Sequence, residues 1–476
     1  MAPSTTPPPG PERPRPGDVL RLTIERGAAE GYAVASHRGF VVLVSRALPG
    51  ETVDARVARV EARHAIAHAI AIHTPSLHRV SAPCPHYERC GGCDLQHIAY
   101  PEQLVLKRAA LADQLQRIGG IADVPVAEVR PASRPLRYRD RLDFVLERDV
   151  ARGTVMPAFH GLLGGATEPI GDCLLAAPEL TRLAIAAASA LSGMPASLLP
   201  SRVRVQECED EFGGAALSLT LFAESESQSR KLKRQAATWL PQLLNAQPRL
   251  MHVAVARTPG GDTDAAGLDI EPIHGEVTMR KRIGRRFYRL PVDGFFQVHP
   301  SQAEAMVSRV VDAVRTLLPA EGGASPIVFD LYCGVGLFSI PLAECGFRVL
   351  GIEISPSSVR AARQTVKENP SAAGPRPEFK VRDLDEAGVL EEAVQSAGRP
   401  DLVVVDPPRR GIGARLSKSL ITVRPSWIVY VSCDGGSFAR DAARLGERYE
   451  LAEVQPFDLF PQTHHIELVA VFRNRR

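Results

Sequence analysis

The stretch Ile327-Val328-Phe329-Asp330-Leu331-Tyr332-Cys333-Gly334-Val335-Gly336 decides the fold class of this chain, because an apolar run leads directly into a Gly-x-Gly turn. This pattern predicts a β-strand, then a tight turn, then a helix. Glycines at such a turn let the backbone approach a nucleotide-like ligand closely. The next residues are Leu337-Phe338-Ser339, so the third glycine of the dinucleotide fingerprint is missing and no pyrophosphate site is indicated.

Further apolar runs downstream end in acidic residues. Val349-Leu350-Gly351-Ile352 precedes Glu353, and the runs that begin at residues 379 and 401 lead to Asp383 and Asp406. Helical stretches at 357–369 and 416–423 separate these runs, and the alternation predicts a parallel, doubly wound sheet. An acidic residue at the end of the second strand can accept hydrogen bonds from ribose hydroxyls. The carboxyl edge of this sheet therefore indicates an adenosine site.

A lone cysteine, Cys433, closes the apolar run Ile428-Val429-Tyr430-Val431-Ser432. A strand of this kind places its thiol at the carboxyl edge of the sheet, where open α/β folds bind their ligands. Taken alone, the cysteine would more often be a buried core residue than a nucleophile. The upstream Asp406-Pro407-Pro408-Arg409, at the end of another predicted strand, favours a catalytic thiol.

Four motifs in order resemble the S-adenosylmethionine-dependent RNA 5-methyluridine methyltransferases, and the resemblance covers most of the chain. They are Asp330-Leu331-Tyr332-Cys333-Gly334, Asp406-Pro407-Pro408-Arg409, Tyr430-Val431-Ser432-Cys433 and Phe460-Pro461-Gln462-Thr463-His464-His465-Ile466-Glu467. Two differences stand out, because Asp434-Gly435 replace the usual Asn-Pro, and Leu337 replaces a residue that is often Asn or Thr in relatives. The resemblance implies a Rossmann-like α/β methyltransferase domain over residues 294–476.

The resemblance also implies roles for individual residues. Carbon 5 of uracil is too weak a nucleophile to take a methyl group unless a thiolate first adds to carbon 6, and Cys433 would supply that thiolate. Glu467 would be the base that removes the carbon 5 proton. His464 and His465 are interpreted as structural, with tuning of Glu467 or phosphate contact as the alternative. The residues implied to bind S-adenosylmethionine are Gln297, Tyr332, Glu353, Asp383 and Asp406.

Eight cysteines give an independent signal, since three of them crowd into residues 84–93. Without an export signal, such a cluster suggests metal ligation in a reducing compartment rather than disulfides. A single Cys-x-x-Cys with no second pair suits zinc less well than an iron-sulfur cluster. The resemblance implies a 4Fe-4S cluster, either structural or holding RNA, bound by Cys84, Cys90, Cys93 and Cys173. We interpret the cysteines at 208, 333 and 345 as ordinary buried thiols.

The 476 residues predict a multidomain protein. Residues 1–16 hold seven prolines and predict a disordered arm. Residues 17–78 alternate apolar and polar positions, which predicts a small OB-like β-barrel that resembles the TRAM domain, an RNA-binding module. Residues 79–293 are expected to form an α+β central region that carries the iron-sulfur cluster.

The formal net charge is only +3, but arginines concentrate in two clusters, one at 130–141 and one at 280–289. We interpret both as candidate RNA contacts. RNA is the expected partner, with 23S ribosomal RNA favoured over tRNA because a TRAM barrel and a cluster occur together in relatives that act on ribosomal RNA. A methyltransferase for a non-RNA substrate and a non-enzymatic iron-sulfur RNA-binding protein are the alternatives. No apolar run is long enough to span a membrane, and we expect a cytoplasmic monomer.

Overall fold

The computed structural model describes residues 13–122, 126–149, 151, 153–257, 268–292, 294, 296–319, 325–369 and 374–475. Most of the predicted disordered arm, residues 1–12, and also Phe295 lie outside the described residues. Three β-sheets organise the described part of the chain, and they follow one another along the sequence.

The N-terminal region is a six-stranded sheet curved around its own core. Its strands are β1 (Val19–Thr23), β2 (Arg26–Gly27), β3 (Ala33–His37), β4 (Phe40–Ser45), β5 (Thr52–Val60) and β6 (His64–Thr74). The spatial order is β1-β5-β6-β4-β3-β2, and β1 also contacts β3. The predicted alternation is present, since Leu20 and Leu22 of β1 are buried while their neighbours in the strand are exposed.

A buried cation attaches this barrel to the cysteine segment (residues 84–95). Arg46, which directly follows β4, is 5% exposed, and its Nη1 donates to the carbonyl of Cys93 at 2.7 Å. Its Nη2 donates to the carbonyl of Tyr87 at 2.8 Å, and the guanidinium lies 3.5 Å from the centre of that ring. Carbonyl groups and an aromatic face replace the water that a guanidinium loses on burial. The barrel is therefore seated on the cysteine segment through specific contacts.

The central region is built on a second sheet. Its strands are β7 (Arg141–Asp149), β8 (Thr154–Phe159), β9 (Glu168–Pro169), β10 (Arg202–Glu209), β11 (Ala215–Ala223), β12 (Leu250–Arg257), β13 (Asp269–His274), β14 (Thr278–Ile283) and β15 (Arg286–Pro291). The order is β13-β12-β11-β10-β7-β8-β9, and β14 pairs with both β10 and β15. The helices that precede or interrupt these strands are α1 (Tyr100–Arg117), α2 (Pro178–Ala190), α3 (Glu226–Arg234) and α4 (Ala236–Ala246). Apolar residues of α2, α3 and α4 share one core with this sheet.

The C-terminal region is a seven-stranded sheet flanked by helices. Its elements are α5 (Pro300–Leu317), β16 (Ile327–Leu331), α6 (Ser339–Glu344), β17 (Arg348–Glu353), α7 (Pro356–Glu368), β18 (Glu378–Val381), α8 (Val389–Ala397), β19 (Leu402–Val405), α9 (Gly413–Val423), β20 (Trp427–Ser432), α10 (Gly435–Leu445), β21 (Tyr449–Phe457) and β22 (Glu467–Asn474). The order is β18-β17-β16-β19-β20-β22-β21. Strands β16 to β20 are parallel as predicted, whereas β22 pairs antiparallel with β20 and β21, so the sheet is mixed.

Strand β19 shows why these runs are continuously apolar. All four of its residues are buried, and they alternate between the two cores that cover the two faces of the sheet. A strand covered on both faces has no exposed side that would require polar residues. None of the helices in the described part of the chain is both long and apolar enough to cross a bilayer.

Helix α1 packs on the C-terminal sheet, although the sequence placed it in the central region. Its Leu111 and Leu115 belong to the core of that sheet. Its Lys107 is buried and donates at 2.6 Å to Asp458, which is also buried. Removing one partner of such a pair typically costs about 3–5 kcal/mol, since the other charge is left buried and unpaired. The boundary between residues 293 and 294 stays a prediction.

Candidate active site

The predicted cofactor residues lie along the carboxyl edge of the C-terminal sheet. Tyr332 directly follows β16, Glu353 ends β17, Asp383 follows β18 and Asp406 follows β19. Strands β17 and β19 flank β16, because the chain runs from β16 through β17 to β18 on one side and then crosses to β19 on the other. A crevice of this kind is where open α/β sheets bind their ligands.

The Gly-x-Gly turn after β16 is held against β17. The Oε2 atom of Glu353 accepts a hydrogen bond from the amide of Gly334 at 3.0 Å, and its Oε1 accepts from the amide of Ser355 at 2.8 Å. Gly334 and Gly336 have φ values of 53° and 87°, a region that side chains disfavour. The turn therefore requires glycine, and the carboxylate keeps lone pairs for a ligand hydroxyl.

Two buried polar side chains, Gln297 before α5 and Asp330 in β16, have oxygen atoms without a partner among the described residues. Gln297 is 3% exposed, and its Oε1 accepts no hydrogen bond from the described residues. Asp330 is fully buried, and Ser339 donates at 2.5 Å to its Oδ2 while its Oδ1 has no partner among the described residues. Burial raises the pKa of Asp330 to about 7. Unpaired buried oxygens are costly, so both residues favour a site that a polar ligand completes.

Cys433 lies between the end of β20 and the start of α10. Asp434 forms the N-cap of this helix, because its Oδ1 accepts from the amide of Ser437 at 2.6 Å. At Gly435 a Cβ would lie 2.2 Å from Oε1 of Gln114, so helix α1 approaches the backbone closely there. The Asp434-Gly435 pair, which differs from the usual family residues, thus has a local structural role behind the thiol.

The groups around the thiol are mostly acidic and poorly hydrated. Burial raises the pKa of Cys433 to about 12, and the nearby Glu467 and Asp406 add to the shift. Glu467, the buried first residue of β22, has its pKa raised well above the usual value by burial and by Asp406. Burial and Glu353 raise the pKa of Asp406 to about 7. The thiol is therefore protonated at neutral pH in the ligand-free protein, and burial disfavours the ionised form of Glu467.

Arg409 is the cation that opposes these shifts. Its charge lowers the pKa of both Cys433 and Glu467, although burial outweighs it in each case. The sequence placed Arg409 in the Asp-Pro-Pro-Arg motif but not among the site residues. The arginine pair Arg409-Arg410 directly after a predicted acidic strand end was the signal that could have identified it.

A cavity of about 360 Å³ opens beside Cys433, and parts of the barrel and of α1 form its walls. Residues that line it include Gly31, Tyr32, Gln114, Arg409, Cys433 and His465. Burial lowers the pKa of His465 to about 3, so its ring is neutral. The volume falls in the range of small-ligand pockets. Sequence patterns could not identify the barrel and α1 residues, because nothing local marks a wall that a distant segment contributes.

A second cavity, of about 450 Å³, is lined by all four predicted metal ligands, Cys84, Cys90, Cys93 and Cys173. The amide of Gly92 donates to Sγ of Cys90 at 3.3 Å, and the side-chain amide of Gln96 donates to Sγ of Cys93 at 3.1 Å. Across the described ranges, no three His, Cys, Asp or Glu side chains are arranged as a metal-binding group. The fold thus gathers the thiols around one cavity without arranging them around a single ion.

The remaining cysteines differ from one another in exposure. Cys208 and Cys333 are buried, as expected. The expectation that Cys345 is buried was wrong, because the thiol is exposed. It directly follows the short helix α6, so the chain turns back toward β17 at the surface there.

The arginine cluster at 280–289 is largely occupied by ion pairs within the protein. Its pairs, with their N to O distances, are Arg282 with Glu209 at 2.9 Å, Arg286 with Glu344 at 2.6 Å and Arg289 with Glu368 at 2.8 Å. Lys281 pairs with the buried Asp140. In the cluster at 130–141, Arg137 pairs with Asp172, whereas Arg130 and Arg134 are exposed. The cluster at 130–141 therefore offers the more accessible guanidinium groups for phosphate contacts.

The raised pKa of Cys433 predicts slow alkylation that depends on pH. Because the thiolate is the reactive form, the rate should rise about tenfold for each pH unit between pH 7 and 10, while the thiol still titrates below its pKa. Peptide mass spectrometry after timed iodoacetamide treatment measures this rate, with the exposed Cys345 as internal reference. Alkylation of Cys433 that is fast and independent of pH across this range would contradict the assignment.

Comparison with known proteins identifies the family. The sequence pattern of the tRNA (Uracil-5-)-methyltransferase family matches residues 230–373 and 390–476, and that of the TRAM domain matches residues 13–70. An uncharacterised RNA methyltransferase of Gloeobacter violaceus is 32% identical over 465 residues, covering 95% of this chain and 96% of that protein. Another, from Streptomyces avermitilis, is 32% identical and covers 96% of this chain and 98% of its own.

A solved structure agrees with these relatives. The crystal structure of Pyrococcus abyssi tRNA (uracil-54, C5)-methyltransferase in complex with S-adenosyl-L-homocysteine superposes with a TM-score of 0.69. Its sequence is 27% identical, and the match covers 95% of this chain and 99% of that one. The barrel corresponds to the matched TRAM domain, and the C-terminal sheet is a methyltransferase fold. The chain therefore belongs to the S-adenosylmethionine-dependent RNA (uracil-5-)-methyltransferase family and carries an N-terminal TRAM domain.

Proposed function

We propose that this enzyme methylates carbon 5 of a uridine in RNA through a covalent bond between Cys433 and carbon 6 of the base. The observation that carries the proposal is the convergence of a thiol, a buried carboxyl and one guanidinium at the carboxyl edge of the sheet. Glu467 and Arg409 are close enough to Cys433 to alter its pKa, and Arg409 also alters the pKa of Glu467. An acid, a nucleophile and a compensating cation in a poorly hydrated site are typical of catalysis.

The cofactor residues suit S-adenosylmethionine, which supplies an electrophilic methyl group when it is bound. Glu353 would accept hydrogen bonds from the ribose hydroxyls, beside the glycine turn that it already holds. Tyr332 and Asp383, at the ends of the strands on either side of β17, would contact the adenine. Gln297 and Asp406 would face the methionine part, where the unpaired Oε1 of Gln297 gains a partner.

In the first step Cys433 gives its proton to solvent water and its sulfur forms a bond to carbon 6. The thiolate supplies the electron pair of that bond, and the pair of the carbon 5 to carbon 6 double bond moves to give an enolate. Carbon 5 thereby becomes the nucleophile that takes the methyl group. Arg409 favours the thiolate electrostatically, which is the contribution its effect on the thiol pKa predicts.

In the last step Glu467 removes the proton from carbon 5. The electrons of that bond re-form the carbon 5 to carbon 6 double bond, and the bond from sulfur to carbon 6 breaks with its pair returning to sulfur. Burial makes the ionised Glu467 a stronger base than an exposed carboxylate, since the same environment raises its pKa. This step releases the methylated RNA and leaves Cys433 as a thiolate, which takes a proton from solvent to restore the thiol, while Glu467 returns its proton to solvent.

The covalent mechanism predicts that Cys433→Ala abolishes methyl transfer and leaves S-adenosylmethionine affinity within about twofold, because the thiol acts on the base. RNA with 5-fluorouridine at the target should give a stable adduct with the wild type, since fluorine cannot leave as a proton does. Denaturing gels detect the adduct, and Cys345→Ala should form it like the wild type. Turnover on ordinary RNA without any adduct on the fluorinated RNA would contradict the mechanism.

We propose 23S ribosomal RNA as the substrate. The combination of a TRAM barrel and a four-thiol cavity supports this choice, by the resemblance to relatives that act on ribosomal RNA. A tRNA is the second candidate, because this chain is similar over 95% of its length to a tRNA (uracil-54, C5)-methyltransferase. A non-RNA substrate is disfavoured by the family and by the barrel.

Deleting the gene should remove one 5-methyluridine from 23S ribosomal RNA and leave tRNA unchanged. Mass spectrometry of nuclease fragments from both purified RNAs measures the modification. Restoring the wild-type gene should restore the methyl group, and restoring Cys433→Ala should not. Loss of a tRNA methyl group instead would assign the enzyme to tRNA.

We also propose that the four-thiol cavity holds a 4Fe-4S cluster. Each thiolate of such a cluster binds a different iron, so the sulfurs stand farther apart than ligands of one ion do. The donor set fits, because four thiols line the cavity and N–H groups donate to two of the sulfurs. Arg46 also lines it and brings positive charge close to the anionic thiolates that metal ligation would create.

Protein purified without oxygen should contain about four iron and four sulfide per chain. Cys173→Ala should lose the iron as completely as Cys90→Ala, because both would ligate the cluster. The matched control is Cys208→Ala, a buried cysteine outside the cavity, which should keep the iron. Elemental analysis measures all three, and stoichiometric zinc without iron would overturn the assignment.

A further inference from the structure

The loop between β21 and β22 (the β21–β22 loop, residues 458–466) delivers Glu467 to the site, and a carboxylate of the cysteine segment holds it. Oδ2 of Asp94 accepts from Nδ1 of His464 at 2.7 Å and from the His464 amide at 3.1 Å. A carboxylate can only accept, so the ring must carry its proton on Nδ1. Two hydrogen bonds on one oxygen fix both the ring and the backbone of His464, three residues before Glu467.

Main-chain hydrogen bonds also hold the β21–β22 loop on the cysteine segment, and we call this contact between the two segments the junction. The amides of Asp94 and Leu95 both donate to the carbonyl of Gln462 at 3.0 Å. Gln462 has a φ of 70°, a strained value for a residue with a side chain. Such a conformation persists only where the surroundings determine it. The junction therefore selects one conformation of the loop that would not be favoured in isolation.

The TRAM barrel closes the junction from the other side. At Gly31 a Cβ would lie 2.7 Å from Cβ of Asp94 and 3.5 Å from Cβ of His464. Both cavities, that of Cys433 and that of the four thiols, are lined by Gly31 and His464. The ring of His464 also lies 4.1 Å from the ring of His465, which lines the Cys433 cavity. Asp94 and His464 thus lie in the wall between the two cavities.

We propose that Asp94 and His464 are positioning residues that hold the β21–β22 loop on the cysteine segment and so place Glu467 for proton removal. The inference rests on the proposed role of Glu467. Neither residue contacts the reacting atoms in this account. The pair acts on the release of the adduct and not on its formation, because Cys433 is held separately by β20 and α10.

The test compares His464→Ala, His464→Asn and His464→Gln in full-length protein purified without oxygen. Asn places an amide donor near the position of Nδ1, whereas Gln places it near Nε2, so only Asn can keep the bond to Asp94. We expect kcat to fall about tenfold in the Ala and Gln variants, as for the loss of one charge-assisted hydrogen bond, and less than threefold in Asn. The Ala and Gln variants should accumulate adduct on ordinary uridine RNA, with cofactor affinity unchanged.

Two further variants serve as the reference and the control for this comparison. Glu467→Gln sets the adduct level for loss of the base itself. The matched control is His73→Ala, which breaks a similar His to Asp pair, His73 with Asp54 at 2.8 Å on the barrel, and should behave as the wild type. Wild-type kcat in His464→Gln, or equal loss in Asn and Gln, overturns the proposal. Absence of an adduct between wild type and 5-fluorouridine RNA instead overturns the covalent mechanism, so the two failures are distinguishable.

Discussion

The removal of water from one strongly acidic corner of the sheet is the constraint on which the active site depends. Asp406, Cys433 and Glu467 lie together there, and burial is the largest cause of the raised pKa in each of them. Three anions could not share such a place without large repulsion. Burial therefore disfavours the charged form of each of the three groups, and Arg409 is the cation whose charge opposes the shifts at the thiol and at Glu467.

This constraint explains why several distant segments of the chain contact the loop that precedes Glu467. A site that works by small differences in charge needs its groups held at fixed distances, because Coulomb energies in a poorly hydrated environment change steeply with separation. The sheet fixes Asp406 and Cys433, but Glu467 follows a loop that needs support from outside. Lys107 of α1 supplies part of this support by pairing with Asp458 and donating to the carbonyl of Phe460. The cysteine segment supplies the rest.

The sequence predicted those parts of the fold that local patterns encode. The strand before Gly334, the glycine turn and the strand ends at Glu353 and Asp406 were confirmed, since buried strands and tight turns leave clear signatures. Strands β21 and β22 were not predicted, although the apolar run of β22 ends in Arg473 and Asn474. Likewise the ion pairs of the arginine cluster depend on glutamates more than fifty residues away, which no local pattern records.

The same reasoning separates the predicted site residues from the missed ones. Cys433 and Glu467 lie in motifs whose residue types the chemistry demands, so the sequence alone identified them as candidates. Tyr32 and Gln114 line the cavity only because the barrel and α1 fold against the sheet. Their positions are products of packing between distant segments, which a single sequence does not reveal.

The protonated resting state has a consequence for the order of events. With a pKa of about 12, the Cys433 thiol is protonated at pH 7, so it reacts slowly with electrophiles in the ligand-free protein. The thiol must therefore be activated when the RNA binds. Once the sulfur adds to carbon 6, the negative charge moves from the sulfur to the enolate of the base. The thiol and the His465 ring are neutral at pH 7, which leaves Arg409 to stabilise that developing charge. The active site thus stabilises the enolate intermediate more than it stabilises the free thiolate. Catalysis requires this difference, because only interactions that strengthen along the reaction lower its barrier.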